Sequence, residues 1–282
     1  RLPIPLLPCP MTETADDKDD VPGTPESARH ERGIGELSER SLHAALKQHL
    51  AQPGDQFEVK LGRYVIDLVR DDLLIEIQTR HLYALRPKLR RLLDDGRRIH
   101  LVHPLPAERW IVREDAAGRP VSRRKSPRHA AVHDIFTELV RLPDLAAHPN
   151  LTLEVLLIQE EQVWRDDGQG SWRRGRWSLV DRRLVGVRGA AVFGAPADYL
   201  VLLPSLPELF TNADLAQTGG WNSHLAAKAT YSLQRMGLLE SPGKQGRRNL
   251  YRLKPPEAEG ARAQPAAVAT ATPPPSDCAG GS

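Results

Sequence analysis

Apolar residues fall in two alternating rhythms along this chain. In residues 35–50, GELSERSLHAALKQHL, Leu42, Leu46 and Leu50 recur at four-residue spacing with Glu39 extending the stripe, which predicts an amphipathic helix. QFEVKL then alternates as a strand, and residues 64–69 and 73–78 form two hydrophobic strands around Asp71-Asp72, a predicted hairpin. LYALRPKLRRLL predicts a helix with Leu82, Leu85, Leu89 and Leu92 inward, Pro87 beginning or kinking its second half. RIHLVHPL and RWIVRED read as two further strands, so the order is helix, three strands, helix, strand. LTLEVLLIQ is a strong strand pattern, and VWRDDGQGSWRRGRWSLV predicts a glycine-containing hairpin. The last rhythm is helical: ADYLVLLPSL, then TNADLAQTGG capped by Thr211 or Asn212, then NSHLAAKATYSLQRMGLLE with Leu225, Ala229, Leu233 and Met236 inward. LLESPGKQGRRNLYRL closes the pattern as a hairpin with a Lys-Gln-Gly-Arg tip.

Composition divides the chain around these rhythms. Residues 1–30 are acidic and rich in Pro, Thr and Asp, and 255–282 form a Pro/Ala tail; neither can bury a core, and both are expected to be disordered. Residues 31–188 are expected to be one α/β domain with a β-rich extension, 189–196 (around RGAAVFGAP) a linker, and 197–254 a compact second domain. The chain lacks an initiator methionine and has one at Met11, so residues 1–10 are expected to be a mis-called upstream extension. Cys9 and Cys278 lie in the terminal segments, which excludes a disulfide framework or structural zinc site for the folded part and favours a cytoplasmic setting. No apolar run reaches the roughly 18 residues of a membrane helix, so no membrane partner is expected.

The formal net charge is +3, but basic residues cluster. Arg119, Arg123, Arg124, Lys125 and Arg128 occur without an intervening acid, and Arg173, Arg174, Arg176, Arg182, Arg183 and Arg188 stand against Asp181 alone. Such clusters suit phosphate binding, and Trp164, Trp172 and Trp177 among arginines could stack bases. The plainer reading is a salt-bridged surface with tryptophans packed on a sheet. Glu160 and Glu161 read as surface charge.

With Asp71 and Asp72 as the loop, paired positions of the hairpin sum to 143, so Asp67 lies opposite Glu76 (67 + 76 = 143). Opposed residues have Cβ atoms about 5 Å apart. Two carboxylates there repel by about 4 kcal/mol at 4 Å for an effective dielectric near 20. Either solvent, a nearby Arg63, Arg70 or Arg80, or a divalent cation offsets that; Mg²⁺ favours such hard oxygen ligands and keeps room for substrate phosphate. His43, four residues after Glu39, flanks the site or forms a helix-surface pair.

In these residues the chain resembles the PD-(D/E)XK, or restriction-endonuclease-like, nuclease superfamily. The matching positions are Glu39 on the first helix, Asp67 in VIDLV, and Glu76 with Gln78 in IEIQ, within about residues 35–105. The resemblance implies a mixed-sheet αβββαβ core, Mg²⁺ (or Mn²⁺) held by Asp67, Glu76 and Glu39, and metal-assisted phosphodiester hydrolysis with Gln78 orienting the water. Gln78 stands where the pattern usually has Lys, and a neutral amide cannot stabilise a developing phosphorane charge as an ammonium does. Lys88 in the following helix is the candidate to supply that charge. The alternative is a decayed nuclease that regulates transcription by binding DNA without cutting it.

The three C-terminal helices and basic hairpin resemble a winged helix-turn-helix, and residues 35–254 together resemble a bacterial family joining such a core to this module. That implies DNA as partner, with His224, Lys228 and Arg235 off the apolar stripe of the groove-entering helix and Lys244, Arg247 and Arg248 on the wing. Arg123, Arg124, Lys125, Arg173, Arg174 and Arg176 complete the expected nucleic-acid contacts, and a homodimer is compatible with the sequence. A protein-interaction scaffold remains the third class.

Overall fold

The computed structural model describes residues 40–168, 177–255 and a two-residue strand, Ala269–Thr270. An eight-stranded mixed sheet forms its centre. Helix α1 (Arg40–Leu50) leads into β1 (Gln56–Leu61), β2 (Tyr64–Arg70) and β3 (Leu73–Ile77). A 3-10 turn at Leu82–Leu85 passes into α2 (Arg86–Asp94), which carries Pro87 in its first turn, where the missing N–H costs nothing. Strand β4 (Arg98–Glu114) follows, so the order helix, three strands, helix, strand is the one the hydrophobic rhythm predicts.

β1, β2 and β3 pair antiparallel, β3 pairs β4 in parallel, and β4 pairs β6 (Leu151–Arg165) in parallel. β6 then pairs antiparallel with β7 (Ser178–Phe193), whose edge holds β10 (Ala269–Thr270). β5 (Pro120–Lys125) pairs with the second half of β4 only. The two strands expected in 98–114 are therefore one 17-residue strand. Pro104 and Pro106 do not interrupt it, because β6 pairs with β4 through this stretch while no described strand needs their missing N–H groups on the opposite edge, where the Pro106 carbonyl accepts the Ala130 N–H.

Side chains of the sheet fill two cores. On one face Leu42 and Leu46 of α1 are fully buried against Leu68, Ile75, Ile77, Val102 and Ile158. On the other, Leu74, Ile99, Leu101 and Leu153 meet Leu82, Leu89 and Leu92, with the short helices α3 (Phe136–Leu139) and α4 (Pro143–Ala146). The expected linker 189–196 is corrected here: Gly189–Phe193 finishes β7, since Ala191 and Phe193 point inward and stay buried in alternation.

Of residues 197–206, expected as a helix, only the first six are helical, within a 3-10 helix over Pro196–Leu202. α5 (Asn212–Gly219) starts at Thr211, whose hydroxyl accepts the N–H groups of Ala213 and Asp214 while Asp214 accepts the Thr211 N–H, a capping box. Gly220, at φ 64°, turns the chain into α6 (Ser223–Arg235), whose Leu225, Ala229, Leu233 and Met236 are buried as the spacing predicts. β8 (Leu239–Gln245) and β9 (Arg248–Leu253) make the hairpin, with Phe210 bridged to Tyr251 beside it. Tyr199, Phe210, Leu215 and Leu233 belong to the same buried cluster as Ile66 and Leu101, and Trp221 stacks on His133 at 4.7 Å. The C-terminal helices thus share one core with the sheet.

Candidate functional site

The β2–β3 hairpin holds Arg70↔Leu73, Val69↔Leu74 and Leu68↔Ile75, the register that sums to 143. The ladder gives way at the next position. There the Asp67 Oδ2 accepts the Ile77 N–H at 2.9 Å, and the Glu76 carboxylate accepts a backbone N–H from Asp67. Each carboxylate thus replaces a carbonyl of the missing ladder, which removes the expected arrangement of two side chains on one face. Ile66 lies in the core under α2 and Leu68 in the core under α1, so the alternation of β2 slips at Asp67. Asp67 consequently reaches α1, and Glu76 reaches α2.

Each carboxylate meets basic side chains from its own helix. His43 Nε2 is 3.2 Å and Lys47 Nζ 3.5 Å from Asp67 Oδ1, one helical turn apart. Lys88 Nζ lies 2.5 Å from Glu76 Oε1 and also donates to the Val65 carbonyl. Glu76 is 3% exposed. Burial pushes its carboxyl above the ordinary value, a push that the Lys88 hydrogen bond and charge offset only in part and the Asp67 charge reinforces. For Asp67 burial acts in the same upward sense but is outweighed by the His43 hydrogen bond and charge, the Ile77 N–H and Lys47, so it sits below the ordinary value. Two adjacent carboxyls are driven in opposite directions.

Glu58 was not singled out by its sequence. The flanking pairs Phe57↔Leu68 and Val59↔Ile66 set it across from Asp67, and Lys47 Nζ bonds its Oε1 at 3.0 Å. Its φ of 52° is left-handed. The signal was present: with Gly62-Arg63 as a turn, pairs sum to 125, and 58 + 67 = 125.

Gln78 does not point at this pair as a water-orienting amide; its Nε2 donates to the Arg80 carbonyl at 2.5 Å, closing the bend after β3. Glu39 lies outside the described residues, as do Arg173, Arg174, Arg176 and Trp172. Among the described residues no three His, Cys, Asp or Glu side chains gather as a metal-ligand group. The two carboxylates are nevertheless hard oxygen donors of the kind Mg²⁺ takes together with a substrate phosphate.

Arg123, Arg124 and Lys125 are exposed on β5. Neighbouring strands supply the acids their own segment lacks: Arg123 bonds Glu161 at 2.7 Å and Lys125 bonds Glu108 at 2.6 Å, both cations lying over Trp110. Glu108, also held by Gln159 and Arg188, is lowered to about 2 by the Lys125 and Gln159 hydrogen bonds. Glu160 is not surface charge; it is fully buried between Arg109 and Arg182. Arg182, expected in a basic surface run, is itself 4% exposed. His224 and Arg235 are exposed and Lys228 half-buried on α6, while Lys244, Arg247 and Arg248 are exposed at the β8–β9 tip. Arg235 also lines a cleft with Tyr83, Arg86 and Arg141.

No helix among the described residues is long and apolar enough to cross a membrane. No solved structure matches the chain. An uncharacterized protein of Treponema pallidum (strain Nichols) is 34% identical over 226 residues, covering 79% of this chain and 88% of that protein. That alignment is longer than the match of residues 40–194 to the model of a domain of unknown function, DUF8091, so it takes in more than this domain alone. The matched domain runs from α1 to the end of β7 and contains His43, Asp67, Glu76 and Lys88, and the chain belongs to the DUF8091 family.

Proposed function

We propose that this protein is a divalent-metal-dependent DNA nuclease: a restriction-endonuclease-like core carrying Asp67, Glu76 and Lys88, with a C-terminal winged helix that engages DNA. The observation that carries the reading is the break in the β2–β3 ladder at Asp67 and Glu76, where a half-buried and a buried carboxyl are driven apart in acidity and Lys88 bonds Glu76. Divergent environments for paired carboxyls are how acid and base roles are divided at neutral pH. Asp67 and Glu76 would hold the metal, with Glu39 as a third ligand, and the ion would lower the pKa of a bound water and polarise the phosphate. Asp67, held ionised by His43 and Lys47, supplies fixed negative charge. Lys88, anchored by Glu76 and the Val65 carbonyl, supplies the positive charge for the phosphorane that Gln78 cannot.

Support for the winged helix comes from α5, the three-residue turn at Gly220, α6 and the β8–β9 hairpin, with exposed His224, Lys244, Arg247 and Arg248. A second reading, a DNA-binding regulator that does not cut, draws on one observation: Asp67 and Glu76 are each already neutralised by side chains of this chain. The two are separated by incubating supercoiled, linear, single-stranded and branched DNA in Mg²⁺ or Mn²⁺ with wild type, Glu76→Ala and Lys88→Ala. The nuclease reading expects metal-dependent cutting lost in both variants while DNA binding persists. Binding without cutting of any substrate by wild type gives the regulator instead.

A further inference from the structure

Where α6 packs beside the short helices, the surface sinks into a cleft of about 420 Å³. Tyr83 of the 3-10 turn and Arg86 at the start of α2 line it, with Arg141 and Asp144 of the α3–α4 segment and Tyr231 and Arg235 of α6. The helical repeat puts the α6 pair there. Leu225, Ala229 and Leu233 take the buried face, so Tyr231 and Arg235, one turn apart, share the exposed one.

Arginine outnumbers acid in this cleft. Asp144 Oδ2 lies 3.1 Å from Arg86 Nη2 and 2.6 Å from Nη2 of the neighbouring Arg90. Burial pushes the Asp144 carboxyl up, but the Arg86 hydrogen bond and charge and the Arg90 bond outweigh it and hold the group ionised below its ordinary value. Neither Arg141 nor Arg235 meets a carboxylate among the described residues. The Arg141 guanidinium is set over the Tyr83 ring, 4.4 Å from its centroid, and Arg235 is exposed at the end of α6. Four guanidiniums thus share one carboxylate, a surplus of three (4 − 1).

Two aromatic rings stand among these cations. Tyr83 is 40% and Tyr231 47% exposed. The Tyr83 ring is flanked by Arg141 and by His81 at 5.5 Å, whereas the Tyr231 ring meets no other ring or cation among the described residues. An open ring offers a flat face to a base, and guanidinium forks beside it match the oxygens of the adjoining phosphates. Bases inside a duplex are already stacked on their neighbours, so only an unpaired base can use such a face.

We propose that this cleft binds a single-stranded stretch of nucleic acid, with a base stacked on Tyr231 and the adjoining phosphates held by Arg86, Arg141 and Arg235. The proposal deepens the DNA-binding reading, on which it rests for the class of partner, and names the form of the strand. The volume suits one nucleotide of that strand. A free nucleotide presents the same base and phosphate.

Fluorescence anisotropy of the full chain in EDTA, where no strand is cut, tests it with labelled single-stranded, abasic single-stranded and duplex oligonucleotides and with AMP as competitor. The strand with bases binds more tightly than its abasic counterpart. Tyr231→Ala, at an exposed helical position where alanine keeps the helix, weakens the strand by about tenfold and leaves the abasic one unchanged, while Tyr231→Phe binds as wild type. Arg141→Gln weakens both. AMP that competes as well as an unlabelled strand identifies a free nucleotide as the source and keeps the base-and-phosphate site; AMP that competes far more weakly identifies the strand. Equal binding of abasic and base-containing strands, unchanged affinity in Tyr231→Ala, or a phosphotyrosine peptide that binds more tightly than every oligonucleotide overturns the proposal. Duplex binding without any Tyr231 dependence is a failure of this cleft alone. Tyr231-dependent strand binding without duplex binding is a failure of the winged-helix reading alone.

Discussion

Removing the Lys88 ammonium would leave Glu76, 3% exposed, with backbone partners and a nearby Asp67 charge but no cation. Lys88→Ala should therefore destabilise the fold by roughly 3 kcal/mol in urea unfolding at pH 7, the scale of a broken buried pair. Glu76→Gln in the same background should recover part of that loss. The two carboxyls also set opposite pH dependences. Glu76, raised above 4.5, keeps its proton longer in the folded chain, so its contribution falls as pH rises from 4.5 through the raised value. Asp67, lowered below 3.8, contributes above that pH and its contribution is lost as pH falls through the lowered value. Stability curves for Glu76→Gln and Asp67→Asn, each subtracted from wild type, should slope in these opposite senses; parallel curves would contradict the assignment.

At the scale of elements, the Thr211–Asp214 capping box fixes the start of α5, and Thr211→Ala should cost about 1 kcal/mol by thermal unfolding. The helices α1 and α6 and the β2–β3 register were legible because each buries one regular stripe: Leu42 and Leu46, Leu225 to Met236, and Leu68 opposite Ile75. Three of the features that were not legible depend on a neighbour distant in sequence. Pro104 and Pro106 look like strand breakers unless it is known that β6 holds the other edge of β4. Gly189-Ala190-Ala191 looks like a linker because small residues carry little signal, yet β6 pairs with it throughout. Glu160 looks like surface charge because its two arginines lie 51 and 22 residues away. The Asp67–Glu76 pairing was visible as a sum of positions, but the slip in β2 that sends the two side chains to different helices was not, since it follows from side chains replacing ladder bonds.

On the scale of the molecule, the sheet and the C-terminal helices share one buried cluster, with Trp221 stacked on His133 and tilted against Phe136. Urea unfolding followed by Trp fluorescence and by far-ultraviolet circular dichroism should therefore give coincident transitions; a separate early transition would mean that residues 197–254 fold independently. The exposed cations at the β8–β9 tip carry the proposed DNA affinity. Replacing Lys244, Arg247 and Arg248 by Ala should weaken duplex binding and reduce the magnitude of the log–log salt slope by about 0.9 for each phosphate no longer neutralised, whereas Arg123→Ala, already paired with Glu161, should change it less. The most direct test of the account is nicking of supercoiled DNA in Mg²⁺ by wild type and Asp67→Asn, with DNA binding followed in parallel. The account predicts cutting by wild type, none by the variant, and equal binding by both; wild type that binds without nicking, or a variant that still nicks, contradicts it.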